Sequence, residues 1–190
     1  GELAQMINGE KWLAGGLKCD LVVVPMKNYD RGSPYSTPVK PSPNLPNHAS
    51  ILWYPSLCLF EGTIMSVGRG TEFPFQVAGY PDKKMGTFSF TPKSIAGMAK
   101  NPLYENQTCY GKDYRNTPPP NFTLEPLIEF YKKFPEKDKF FNSFFDKLAG
   151  NSLLKQQIKQ GMSNEQIQET WKKDLDDYKK LREKYLLYEH

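Results

Sequence analysis

The residues with the clearest chemical potential lie in one stretch of the chain, residues 41–75. Glu61 follows a run of apolar residues, and burial against such a wall raises the pKa of a carboxyl group, as a general acid requires. Gly62 beside it would let a ligand approach the backbone closely. Two structural alternatives stay open: Glu61 caps a helix, or it forms an ion pair with Arg69 that holds the loop. Either of them is compatible with a catalytic role.

Arg69 is the second candidate, because it lies between Gly68 and Gly70, where unusual backbone angles are allowed. Its planar guanidinium suits a carboxylate ligand or a bidentate ion pair. The surrounding residues lack the GxxxxGK(S/T) pattern of a P-loop, so nucleotide phosphate is not implied. Arg69 is therefore predicted either to bind an acidic ligand or to pair with Glu61.

Further side chains in this stretch have the polar and aromatic character of carbohydrate sites: Asn44, Asn47, Trp53 and Tyr54. Asparagine next to proline is also ordinary turn chemistry, and an aromatic residue before a proline fits a core equally well. His48 stands alone. With two histidines in the chain, one of them terminal, no Ser-His-Asp or Cys-His arrangement can be assembled.

Composition excludes several function classes. The 190 residues fit one domain, carry a formal net charge of +4 and contain no Lys/Arg-rich block, so we expect no nucleic-acid partner. Cys19, Cys58 and Cys109 are widely spaced, which predicts small buried thiols and neither a metal nor a cofactor, with one disulfide possible in an exported protein. No apolar run has membrane-spanning length, so we expect no membrane partner. The chain starts inside a helical pattern, which predicts a fragment of a longer protein.

The first part of the chain alternates between short regular elements and a stiff loop. Apolar spacing predicts an amphipathic helix over residues 2–14, ended by Gly15 and Gly16. The run Leu-Val-Val-Val at 21–24 predicts a strand buried on both faces. Residues 27–49 are rich in proline and asparagine, which predicts a stiff, irregular and ordered loop with a functional role.

The remaining elements predict an α+β fold, with a small mixed sheet, long proline-rich loops and a C-terminal cluster of amphipathic helices. A short helix is expected over residues 55–62, and strands over 73–78, 87–92 and 107–114. Later apolar spacing predicts helices at 124–134, 140–148 and 153–158, and a long last helix that starts with a capping box at Ser163 and Gln166. Residues 1–117 would form the loop-rich part with the site, and residues 118–190 the helical part.

Three closely spaced motifs, PSPNLPN, YPSLCLFEGT and SVGRGTEFPF, resemble the NamZ-type (YbbC-like) exo-β-N-acetylmuramidases. The similarity continues through GELAQMINGEKWL, LVVVPMKNY and KLREKYLLY, and so covers essentially the whole chain. It implies a two-part glycoside hydrolase of cell wall recycling that releases N-acetylmuramic acid from the non-reducing end of peptidoglycan fragments. It also implies that the catalytic Glu lies in a Rossmann-like first half absent from this chain. Residues 1–190 would then be a single C-terminal auxiliary domain that closes the substrate cleft.

The resemblance also implies roles for particular side chains. A tyrosine of this half is expected to face the catalytic Glu, which points to Tyr54 as the catalytic residue. Tyr80 is the reserve and is otherwise expected to contact substrate. Arg69 would bind the lactyl carboxylate of muramic acid, and Asn44 and Asn47 would hold its hydroxyl or acetamido groups.

Under the same resemblance, Glu61 is either a second catalytic carboxyl group or the residue that orients Arg69. The expected partners are a peptidoglycan-derived sugar or muropeptide and the N-terminal catalytic domain of the same protein. The resemblance implies a bacterial protein, periplasmic or exported, whose isolated second half is inactive. The alternative function is a non-catalytic carbohydrate- or protein-binding module, with residues 41–75 as its docking surface.

Overall fold

The computed structural model describes residues 1–117, 119 and 121–188. The chain divides into two compact units, one formed by Gly1–Tyr35 together with the chain from Gln168 onward, the other by Ser36–Ile167. Within the described residues the helices are α1 (Glu2–Gly9), α2 (His48–Leu57), α3 (Glu125–Lys133), α4 (Lys137–Phe140), α5 (Phe145–Ala149), α6 (Leu153–Lys159) and α7 (Asn164–Glu183), and the strands are β1 (Val77–Tyr80), β2 (Phe88–Phe90) and β3 (Cys109–Asp113). None of these helices is long and apolar enough to cross a membrane.

The first unit is held together by polar contacts between its two chain segments. In the first turn of α1, Glu2 pairs with Arg31, whose hydrogen bonds hold the pKa of the Glu2 carboxyl group below its usual range, and Glu2 Oε1 accepts a hydrogen bond from Leu187 N of the second segment at 2.8 Å. Just beyond the helix, the Glu10 carboxylate binds Lys184 Nζ at 2.6 Å and accepts a hydrogen bond from Tyr185 Oη at 2.6 Å. The pKa of Glu10 is lowered in the same way, first by Lys184. These two carboxylates tie the start of the chain to its last described turn.

Residues 21–24 do not form the buried strand that their composition predicts. They lie outside regular structure, and Val22 and Val24 are 87% and 85% exposed. A continuous apolar, β-branched run forms a strand where neighbouring strands bond its backbone and cover its faces. The strands that the structure describes all lie between residues 77 and 113. The first helix is also shorter than predicted, because it ends at Gly9.

The second unit contains the sheet, in the order β1–β3–β2. Both strand pairs are antiparallel: Gly79 lies opposite Gly111 in one pair, and Ser89 opposite Tyr110 in the other. The α+β class and the C-terminal helices expected from the sequence are confirmed. The sheet itself is antiparallel, where the sequence analysis predicts a mixed one.

An aromatic core lies beneath the turn that follows α2. Six of the largest fully buried side chains are phenylalanines: Phe60, Phe75, Phe130, Phe134, Phe140 and Phe145. Phe60 meets Phe130 of α3 edge to face, with ring centroids 5.6 Å apart, and such pairs contribute about 0.5–1.5 kcal/mol beyond their buried area. A Cβ at Gly62 would lie 2.6 Å from Phe145 Cα. Phe145 thus occupies the space that the sequence analysis assigns to a ligand, and the turn is fixed against α3 and α5.

Helix α2 begins at His48, earlier than the predicted helix over 55–62. A capping box starts it: Ser50 N donates to Asn47 Oδ1 at 3.0 Å, and Asn47 N donates to Ser50 Oγ at 3.3 Å. Pro55 therefore lies inside the helix rather than at its first turn. Residues Cys58–Gly62 continue as a 3-10 turn.

The helix signals of the C-terminal part are more accurate. At the predicted capping box, Gln166 N donates to Ser163 Oγ at 3.2 Å and Ser163 N donates to Gln166 Oε1 at 2.8 Å, so this start of α7 is confirmed. Gly150 ends α5 with a left-handed φ of 75°, as a C-cap glycine does. The helix predicted over 140–148 is two short helices, α4 and α5, separated by an extended residue at Phe141.

All three cysteines are free. Cys109 is fully buried, and burial raises the pKa of its thiol to about 12, so this thiol is unreactive at neutral pH. Cys58 is half-buried and Cys19 is exposed. The prediction of buried thiols is therefore wrong for Cys19.

Candidate functional site

Tyr54, Glu61 and Arg69 come together around the end of α2. Tyr54 lies in the last turn of the helix and Glu61 in the 3-10 turn that follows. Arg69 lies between Gly68 and Gly70, whose φ angles of 78° and 84° fall in the left-handed region that glycine tolerates. This turn directs the guanidinium back to Glu61.

Glu61 and Arg69 form the ion pair that the sequence analysis leaves open as a structural alternative. Arg69 Nε lies 2.9 Å and Nη2 lies 2.7 Å from the same oxygen, Glu61 Oε1. Asn142 stabilises the 3-10 turn that carries Glu61, because its Nδ2 donates to the Glu61 carbonyl at 3.2 Å. Because a salt bridge of this kind uses the ionised carboxylate, the geometry favours Glu61 as the residue that orients Arg69 over Glu61 as a general acid.

The ring of Phe75 connects the ion pair with Tyr54. Arg69 Cζ lies 5.0 Å from the centre of the Phe75 ring, and the Tyr54 ring meets the same ring edge to face at 4.9 Å. Desolvation raises the pKa of Tyr54, and the charge of Glu61 adds to the increase while Arg69 opposes it. The Tyr54 hydroxyl is therefore a protonated donor at neutral pH, on a side chain that keeps part of its surface exposed.

A cleft of about 170 Å³ opens beside this cluster. Its lining combines a polar part with an apolar part: Glu61, Arg69, Thr63 and Ser66 on the one hand, Met65, Val67 and Leu103 on the other. The hydroxyl of Thr63 donates to the Phe60 carbonyl at 2.7 Å, so it is already used in the turn. The cleft thus presents the Glu61–Arg69 ion pair beside apolar side chains.

The other predicted site residues lie elsewhere. Asn44 Nδ2 donates to the Met98 carbonyl at 2.9 Å, and Asn47 caps α2. The Tyr80 ring packs edge to face against two other aromatic rings rather than into the cleft. Trp53 is buried, and its Nε1 donates to a backbone carbonyl at 2.8 Å, which leaves no ring face for a sugar.

The proline-rich loop forms a second cavity of about 310 Å³ within the same unit. Asn47 and His48 line it together with Lys40 and several prolines of the loop. The sequence prediction of an ordered loop agrees with this cavity. Its functional role stays a prediction.

The chain matches known proteins over nearly its whole length. The family description "Exo-beta-N-acetylmuramidase NamZ, C-terminal" matches residues 52–188, and its N-terminal counterpart matches residues 1–49. The chain belongs to the NamZ family. It is 32% identical to peptidoglycan β-N-acetylmuramidase NamZ of Bacillus subtilis (strain 168) over 208 residues, which cover 99% of this chain and 49% of that protein. The chain thus spans about half the length of this curated relative.

Two crystal structures of DUF1343 family proteins from Bacteroides fragilis NCTC 9343 have the same fold. One is 44% identical, with a TM-score of 0.94 over 100% of this chain and 55% of that chain. The second is 23% identical, with a TM-score of 0.72 over 99% of this chain and 55% of that chain. The assignment of residues 1–190 to one C-terminal domain of a NamZ protein stays a prediction, since residues 1–49 match the N-terminal family description.

Phe75 and Leu103 also contribute to the site in this NamZ-family chain, although no sequence pattern points to them. Phe75 lies inside the selected stretch, but nothing in its type distinguishes it from the other phenylalanines there. Leu103 lies far along the chain from Arg69, and no spacing pattern connects the two. Among the described residues, no group of three His, Cys, Asp or Glu side chains is placed to hold a metal ion.

Proposed function

We propose that this chain is part of a glycoside hydrolase that releases N-acetylmuramic acid from the non-reducing end of peptidoglycan fragments. In the longer protein it would close over the substrate, as an auxiliary part that acts with a catalytic carboxylate supplied by the N-terminal domain. Membership of the NamZ family supports this proposal, as does the name of the Bacillus subtilis relative. We further propose a periplasmic or exported protein of cell wall recycling.

The orientation of Arg69 is the observation that carries the proposal. Arg69 Nε donates a hydrogen bond to Glu61 Oε1, and Nη2 lies within ion-pair distance of the same oxygen. A guanidinium carries five hydrogens, so the rest of the fork can bind a second carboxylate. Muramic acid differs from glucosamine by a lactyl ether that carries such a carboxylate. Arg69 would bind this group, and Glu61 would hold Arg69 in place.

Tyr54 is the proposed catalytic residue of this chain. Its hydroxyl carries a proton at neutral pH, as an ordinary phenol does, and desolvation raises its pKa further; its ring packs edge to face against Phe75. Tyr54 is not part of the cleft lining, but its side chain is 39% exposed, so its hydroxyl can hydrogen-bond a carboxylate or a sugar oxygen that approaches from outside this chain. The proposal does not use Asn44, Asn47 or Tyr80, whose polar groups or rings are engaged elsewhere.

The first test is the substitution Arg69→Lys in the full-length protein. Lysine keeps the charge and loses the planar fork. We expect kcat/KM to fall about 100-fold for a β-N-acetylmuramic acid glycoside, the loss of roughly two charge-assisted bonds, and much less for the corresponding N-acetylglucosamine glycoside. Arg115→Lys is the matched control, because Arg115 is also ion-paired, also stacked on aromatic rings and equally exposed. An equal fall in kcat/KM for both substrates would show that Arg69 does not recognise the carboxylate.

The second test compares Tyr54→Phe with Tyr80→Phe. A positioned proton donor contributes about 100-fold or more to the rate, so we expect kcat to fall by that factor for Tyr54→Phe and to change little for Tyr80→Phe. The reverse result would assign the catalytic role to Tyr80. If neither variant changes turnover while the isolated chain binds muropeptides in calorimetry, the chain is a non-catalytic binding module.

A further inference from the structure

The cleft beside Arg69 has an apolar part that recognition of a carboxylate does not require. Met65 and Val67 form its buried floor, each less than 5% exposed. Leu103 lines the same cleft and keeps 49% of its surface exposed. A large apolar side chain at the border of a charged cleft gains free energy when an apolar group of a ligand covers it.

On both sides of Leu103, its loop contacts the segment of residues 64–70, which contains Arg69. On one side, Pro102 packs against Gly70: a Cβ at Gly70 would lie 2.7 Å from the proline ring. On the other side, the Tyr104 hydroxyl donates to the Ile64 carbonyl at 2.7 Å. Burial raises the pKa of Tyr104, so this donor keeps its proton. Leu103 is therefore held at a fixed place relative to the cleft.

A ligand that fits this lining carries a carboxylate and a small apolar group on neighbouring atoms. The lactyl ether of muramic acid has this structure, because one carbon bears both the carboxylate and a methyl group. We propose that Leu103 is a specificity residue, which contacts the lactyl methyl group while Arg69 binds the lactyl carboxylate. The inference rests on the proposed function and extends it from the charge of the substituent to its shape.

The test uses the full-length protein and three glycosides: the lactyl ether, the glycolyl ether that lacks the methyl group, and unsubstituted N-acetylglucosamine. In the unmodified protein we expect kcat/KM for the lactyl ether to exceed that for the glycolyl ether about tenfold, the lower end of what one methylene provides in a pocket. In Leu103→Asn, which keeps the size and loses the apolar surface, this ratio should fall to about one to two. Leu103→Met keeps the apolar surface and should preserve the ratio.

Leu153→Asn is the matched control, because Leu153 is 51% exposed and lies on α6, outside the cleft lining. It should leave the lactyl-to-glycolyl ratio unchanged. A ratio unchanged in Leu103→Asn, or lost equally in Leu103→Met, would overturn the role of Leu103. Failure of the proposed function would give a different result: the unmodified protein would then prefer neither of the two acidic ethers over the N-acetylglucosamine glycoside.

Discussion

Two arginines of this chain form the same kind of ion pair and aromatic contact, and one of them, Arg69, lines a cleft. Arg69 pairs with Glu61 and stacks on Phe75, and Arg115 pairs with Asp113 and stacks on two rings. Their side chains are 38% and 40% exposed. Residue type, ion pairing and exposure therefore do not distinguish Arg69, for which we propose a binding role, from Arg115.

The difference lies in what surrounds each ion pair. Arg115 bonds both oxygens of Asp113, with Nε at 2.9 and 3.0 Å and Nη2 at 2.6 Å, and its partner is two residues away in the chain. Arg69 contacts one oxygen of Glu61 and lines a cleft. Both guanidinium groups face their carboxylate with Nε and Nη2, so both keep their remaining N–H groups free. Arg115 closes a local turn, whereas the cleft beside Arg69 gives a ligand access to its free N–H groups.

The largest expected effect concerns Gly70, which directly follows Arg69. No glycine directly follows Arg115. Alanine at this position would carry a φ of 84° and place its Cβ 2.6 Å from the Lys93 carbonyl oxygen. Strain at such an angle and displacement of neighbouring backbone together cost about 3 kcal/mol. We expect Gly70→Ala to lower the free energy of unfolding by that amount in chemical denaturation.

Gly97→Ala separates the two contributions. Gly97 has a similar φ of 74°, but no atom lies within 4 Å of a Cβ built there. Only the backbone strain remains, about 1 kcal/mol. Equal destabilisation by the two variants would mean that the close contact between the Arg69 turn and the Pro102 loop contributes nothing.

The next effect separates the two carboxylates by function. Glu61→Gln removes the charge that orients Arg69, and we expect KM for a muramic acid glycoside to rise about tenfold with kcat little changed, a loss of about 1.4 kcal/mol of binding. Asp113→Asn, the same change at the other pair, should leave both constants within about twofold. Steady-state kinetics of the full-length protein measures this. A fall in kcat without a change in KM would instead assign Glu61 a role in proton transfer.

Much of the fold follows from local signals in the sequence. The capping box at Ser163, the glycine after α5 and the strand patterns over 87–92 and 107–114 depend on near neighbours, and the structure has each of these elements. The run at 21–24 shows the limit of such signals. Its residues have the composition of a buried strand, yet strand formation depends on neighbouring strands that a local pattern does not encode.

Only the residues of the site that are close together in the sequence can be predicted from it. Tyr54, Glu61 and Arg69 lie within one short segment that folds back on itself, so a compact sequence motif indicates that they are neighbours. Leu103 reaches the same cleft through the contacts of its loop with Gly70 and Ile64. Such tertiary contacts leave no spacing pattern in a single sequence. Asn47 shows a further limit, because its side chain caps α2 through a local contact that its type alone does not separate from sugar binding.

The smallest expected effect is a pH dependence at the Arg115 pair. The hydrogen bonds of Arg115 hold the pKa of Asp113 below its usual range. A carboxyl group whose pKa is lower in the folded protein stabilises the fold above its unfolded value of about 3.9, and this contribution is lost as the pH falls through the folded value. We therefore expect Asp113→Asn to lower the free energy of unfolding by about 0.5–1 kcal/mol at pH 7, the range of a partly exposed pair.

As the pH falls below the lowered pKa of Asp113, the difference between Asp113→Asn and the unmodified protein should shrink toward zero, because both then carry an uncharged group at this position. Urea denaturation at several pH values measures it. A difference that persists unchanged at low pH would assign the effect to hydrogen-bond geometry instead of charge. The Arg115 pair would then stabilise the turn through hydrogen-bond geometry alone, in contrast to the Arg69 pair, where we propose that a ligand carboxylate binds the N–H groups that Glu61 leaves free.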